Sequence, residues 1–143
     1  MPERRGAARA AEVVEVTIPP KPEFVSVARL TAATVAARQS FTYDEIEDLK
    51  IAVSEACTAL MVSGTEGAPL TVRLALEPRA LTIQIETGGP GVELVEEPAH
   101  TAKEPLDETR LGMFLMRCLV DDVEVGTSPE GKAQIRLMKR RQP

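Results

Sequence analysis

Histidine is almost missing from this chain. His100 is the only one in 143 residues, so a two-histidine metal site is excluded. A lone histidine in a polar segment reads as solvated, which leaves none for a serine–histidine triad. Cysteine is scarce too. Cys57 and Cys118 each sit in an apolar helical pattern with no base near them in sequence. They read as reduced core residues in a reducing compartment, not as nucleophiles. No apolar run approaches the roughly 20 residues that cross a bilayer. The N-terminal MPERRGAARAAE has no apolar signal core. A cytoplasmic protein without a membrane contact is expected. Excess positive charge is also lacking: 17 basic against 22 acidic residues leave a net charge of −5 and a pI of about 5.0. That argues against a general nucleic-acid binder. Lys139-Arg140-Arg141 reads as a short basic tail.

What is present is the pattern of one globular domain with a sizeable core. Hydrophobic residues make up 43% of the chain and charged residues 27%, a balance that fits this length. Residues 1–11 are small and charged without a pattern and are expected to be disordered, which puts the domain at 12–140. Val14, Val16 and Ile18 alternate with polar residues as a half-buried strand. Pro19-Pro20-Lys21-Pro22 stops that strand and opens a helix to about Gln39. Its apolar side is expected to hold Phe24, Val27, Ala28, Leu30, Val35 and Ala36. Thr42 and Glu45 form a T-x-x-E capping box, with Phe41 and Ile46 as a hydrophobic staple. Ile46, Leu49, Val53, Ala56 and Leu60 then recur at helical spacing up to a stop at Gly64. Two alternating strands follow, Leu70–Leu76 and Leu81–Ile85, joined by a turn at Glu77-Pro78-Arg79. A long acidic segment rich in Gly and Pro runs from Thr87 to about Glu108, and loops of that length tend to be functional. A third helix is expected over about Arg110–Val120, capped by Asp107 or Thr109. Leu111, Phe114, Leu115, Cys118 and Leu119 would form its buried face. A closing hairpin carries Val123, Val125, Ile135 and Leu137 around Gly126–Gly131. The order β-α-α-β-β-loop-α-β-β predicts an α+β, two-layer sandwich: a mixed, mainly antiparallel sheet with helices on one face.

Two features remain as candidate chemistry. Glu55 is a single carboxylate in the apolar VSEACTALMVSG stretch. It reads either as a base or as the solvated edge of a core helix. Thr87-Gly88-Gly89-Pro90-Gly91 leaves a strand, and Gly112 opens a helix. Glycines let a backbone approach a ligand, and helix N-termini offer amides to phosphate. Such glycines are also ordinary turn residues.

Taken in order, these features resemble the ATP-binding Bergerat fold of the GHKL group. They resemble most its anti-sigma factors, which double as serine kinases of an anti-anti-sigma partner. The resemblance runs from about Val13 to Lys139. It includes VARL at Val27–Leu30, AVSEACT around Glu55, Gly89–Gly91, FLMRCLVDDVEV at Phe114–Val125, and SPEG followed by IRLMK. It implies the histidine-kinase-like ATPase fold, a Mg-ATP site and a homodimer. It also implies a role in transcription regulation through a sigma factor or an anti-anti-sigma protein, with no direct contact to nucleic acid. The family's first box pairs a Glu, the base toward the attacking hydroxyl, with an Asn four residues on that holds Mg²⁺. Glu55 matches the Glu, but Ala59 stands where the Asn belongs. In the Asp-x-Gly-x-Gly box Gly89 and Gly91 match, while Thr87 replaces the adenine-reading Asp. In the Gly-x-Gly box Gly112 matches the second glycine, and Arg110 replaces the first. Arg29, in VARL, falls where the family contacts its protein partners, though an exposed arginine needs no partner. An alanine cannot ligate Mg²⁺, and a threonine gives adenine a hydrogen bond without charge assistance. Glu93, Glu96, Glu97, Glu104, Asp107 and Glu108, in the segment matching the family's ATP lid, would repel a nucleotide. The expected function is therefore a regulator with Glu55 as a remnant base and with reduced or lost ATP binding. The rival is an active kinase using Glu55 and Mg-ATP.

Overall fold

The structure, a computed structural model, describes residues 12–63, 67–87 and 108–142. The expected disorder of 1–11, the stop at Gly64, the Asp107 cap and the acidic segment up to Asp107 lie outside these residues. The elements in chain order are β1 (Glu12–Ile18), a 3-10 turn (Pro22–Phe24), α1 (Val25–Arg38) and α2 (Tyr43–Ser63). Then come β2 (Leu70–Glu77), β3 (Ala80–Thr87), α3 (Glu108–Leu119), β4 (Asp122–Thr127) and β5 (Ala133–Arg140). The strands form one sheet in the order β1-β2-β3-β5-β4. Every described pairing is antiparallel, so the mixed character allowed by the sequence is not used.

Register explains how one face becomes core. Val72 pairs with Ile85, and Ile85 with Ile135; Leu74 pairs with Ile83, and Ile83 with Leu137. Because side chains alternate along a strand, these rows share one face. All six residues are fully buried beneath the helices. The reverse face carries a polar row, Glu15–Arg73–Gln84–Arg136–Glu124. Its two ion pairs, 3.0 Å and 3.2 Å, are exposed and contribute little to stability. The sheet is thus covered by helices on one side only.

Helix α2 forms the centre of the helical layer. Its start is the predicted capping box: Glu45 N donates to Thr42 Oγ1 at 3.1 Å, and Thr42 N donates to Glu45 Oε1 at 2.8 Å. Leu49, Val53, Ala56 and Leu60 are fully buried, as their spacing requires. Between β4 and β5, Gly131 takes φ +86 and donates to Ser128 O, a turn conformation that favours glycine.

Four sequence expectations are corrected. The α1 core face is Val25, Ala28, Ala32, Val35 and Ala36, while Val27 and Leu30 are exposed. In α3 the buried positions are Gly112 and Met116, followed by Val120 just beyond the helix. Leu111, Phe114 and Cys118 face outward, so Cys118 is not a core residue. The helix packs on α2 through its small glycine side, which turns its larger residues away. Thr109 lies within α3 and therefore is not its cap. Finally, Lys139 and Arg140 belong to β5 and are not a tail. Lys139 Nζ donates to Leu119 O at 2.7 Å, closing the C-terminus of α3 with a cation where the helix dipole favours one.

Candidate functional site

The α2–α3 contact brings the candidate residues together. Glu55 lies on the second half of α2, half-buried, with Ala59 one turn further along the same helix face. Ala59 is 6% exposed, so its methyl group is part of the core packing. Gly112 lies on the facing side of α3. A Cβ added there would fall 2.7 Å from Glu55 Oε1. The carboxylate therefore occupies space that any other residue at 112 would fill.

Thr87 ends β3 on the core face, in register with Leu70, and is 1% exposed. Its hydroxyl is enclosed by the fold. Arg110 is half-buried in the first turn of α3, two residues before Gly112. Gly89 and Gly91 lie outside the described residues. Of the candidates, the structure places Glu55 against Gly112 in direct contact, with Ala59 and Arg110 on the same pair of helices.

Arg29 reaches this region from α1. Its Nη1 donates to Ser54 Oγ at 3.0 Å, and Ser54 Oγ in turn donates to Lys50 O at 2.9 Å. The guanidinium is half-buried and tied to the residue preceding Glu55. Sequence reading missed Ser54. Nothing in a spacing of 25 residues signals that pair, because it exists only where α1 crosses α2. Cys57, fully buried one turn along from Ser54, has its thiol pushed up to about 12 by burial, with the Arg29 charge pulling weakly the other way. It is therefore a packing residue and not a nucleophile.

The donor set can be tested against magnesium. Mg²⁺ asks for oxygen ligands in near-octahedral array. Ala59 offers none, and the described residues contain no group of three or more His, Cys, Asp or Glu that would hold a metal ion. At position 59 the described residues therefore offer Mg²⁺ no side-chain oxygen.

A one-sided antiparallel sheet, a central helix that turns Glu55 toward the last helix, and Gly112 facing it there define the class: an α+β domain of the histidine kinase-like ATPase fold. Residues 18–139 match the histidine kinase-like ATPase domain, and the chain belongs to that family, among the anti-sigma factors and serine-protein kinases of the GHKL group. It is similar to the serine-protein kinase RsbW of Bacillus subtilis, 36% identical over 126 residues, covering 80% of this chain and 78% of that protein. It is similar to RsbW of Bacillus pumilus at 38% over 127 residues, covering 80% and 78%. The anti-sigma F factor of Clostridium acetobutylicum is 36% identical over 126 residues, covering 85% of this chain and 87% of that protein. No described helix is long and apolar enough to cross a membrane.

Proposed function

We propose that this chain is an anti-sigma-type regulator that binds a sigma factor, an anti-anti-sigma partner or both, with ATP binding reduced or lost. Its relatives are named an anti-sigma F factor and serine-protein kinases. The observation that carries the loss is Ala59: a buried methyl group stands where Mg²⁺ would need an oxygen. Thr87 adds to it, since a buried hydroxyl replaces the charge-assisted acceptor for adenine. Arg29 is the proposed partner contact, and a homodimer is the proposed assembly. Calorimetric titration of the purified protein with Mg-ATP tests the reading. Heats too weak to fit a micromolar site are expected, and saturable micromolar binding would overturn it.

The retained carboxylate favours a second reading. Glu55 keeps its place against Gly112, so an active serine/threonine kinase acting on an anti-anti-sigma partner with Mg-ATP is the alternative. In that case Glu55 would act as the base toward the serine hydroxyl. Phosphate transfer to a cognate partner that disappears in Glu55→Gln would establish it.

A further inference from the structure

Glycine within a helix needs a reason. It weakens the helix relative to alanine by about fivefold in the folding equilibrium. Two described glycines have the usual reason: Gly67 and Gly131 take φ +83 and +86, with open space where a side chain would go. Gly112 is different. It is the fifth residue of α3, its φ is not positive, and its conformation suits any residue. What distinguishes it is its surroundings. The three atoms nearest to a Cβ placed there all belong to Glu55: Oε1 at 2.7 Å, and Cβ and Cδ at 3.8 Å. Real side chains do not tolerate the first of these distances.

We infer that Gly112 is the seat of the Glu55 carboxylate, a positioning residue on α3 that fixes the direction of a side chain carried by α2. The glycine acts by leaving space. Among the described residues Glu55 makes no hydrogen bond or ion pair that would hold it instead. Its position is set by packing along the bare backbone of Gly112. The carboxylate thereby follows α3: a shift of that helix along α2 moves the wall against which Glu55 lies. The retention of glycine at 112 is then explained without any phosphate. The inference rests on the reading of Glu55 as the site's base or its remnant only for its relevance to catalysis. The contact itself stands without that reading.

The test is Gly112→Ala in three backgrounds. Oε1 is the far end of a flexible side chain, so the variant folds with Glu55 swung aside. In the wild type, nuclear Overhauser contacts link the Glu55 γ-protons to the α-protons of Gly112, and in Gly112→Ala those to the residue 112 backbone are lost. Urea unfolding completes a cycle. In Glu55→Ala the added methyl strengthens folding by about fivefold, the full helix gain. With Glu55 present the gain is much smaller or reversed. Glu55→Asp, whose shorter chain withdraws the carboxylate, behaves like Glu55→Ala. An equal gain in all three backgrounds, or unchanged contacts at residue 112, would overturn the inference. Both readouts are taken without nucleotide or partner, so their failure is distinct from failure of the proposed function.

Discussion

At the scale of single residues, two cysteines that look alike in sequence differ in chemistry. Cys57 is fully buried and its thiol is pushed up to about 12, whereas Cys118 is exposed on α3. An aromatic disulfide reagent at pH 8 is therefore expected to label Cys118 in the folded protein and Cys57 only on unfolding. The same difference bears on alkaline stability. Unfolding returns the Cys57 thiol to its ordinary 9.0, so the unfolded chain gains by ionising above that pH while the folded one does not. The stability tied to the neutral thiol is complete below pH 9 and falls as pH rises toward 12. Substituting Cys57 by alanine is expected to flatten that decline, as measured by urea unfolding at pH 8 to 10. The candidates Glu55, Gly112 and Arg29 could be named from the sequence, whereas Ser54 could not. The pairing of Arg29 with Ser54 and of Glu55 with Gly112 was not legible there, because both depend on how helices distant along the chain are set side by side.

At the scale of elements, α2 and the β2–β3 hairpin follow from local signals. A capping box and a clean repeat place the helix, and strict alternation places the strands. Helix α3 starts and ends within two residues of its expected bounds, but it buries a different face. Leu111, Phe114 and Cys118 recur at helical spacing as well as any core stripe does. Hydrophobicity alone therefore pointed to the wrong side. The α2 contact selected the side with Gly112 and Met116 because a bare backbone and an unbranched side chain allow close approach. Two substitutions separate the faces. Met116→Ala removes a fully buried side chain and is expected to cost about 2–5 kcal/mol. Phe114→Ser, at a position 59% exposed, is expected to stay within about 0.5 kcal/mol. Urea unfolding of both checks this, and a large loss in Phe114→Ser would return the core to the face first expected.

At the scale of the whole molecule, Glu45 ties the start of α2 to the far end of the chain. Its Oε1 accepts from Thr42 N, and its Oε2 accepts from Gln142 N at 2.9 Å. Burial pushes this carboxyl up. The amides of Thr42 and Gln142, the Thr42 hydroxyl and the Lys139 charge outweigh it and hold the group below its ordinary 4.5. A lowered carboxyl stabilises the fold above the unfolded value and ceases to do so as pH falls through the folded one. Glu45→Ala is thus expected to cost about 1.5–3 kcal/mol at pH 7, the scale of hydrogen bonds to a charged group. The gap to wild type should narrow as pH drops below 4.5. Denaturant unfolding of both proteins at pH 3 to 7 measures it, and a gap that stays constant would show that the charge is not what holds the two ends together.

The sequence by itself determined the elements and the one-sided two-layer plan, since hydrophobic period, caps and turn signals are local properties. Only the tertiary structure decided which face of α1 and α3 is core, that Lys139 closes α3, and that Glu55 rests against Gly112. These are contacts between segments far apart in the chain, chosen by which surfaces can approach closely once the sheet has set the helices side by side.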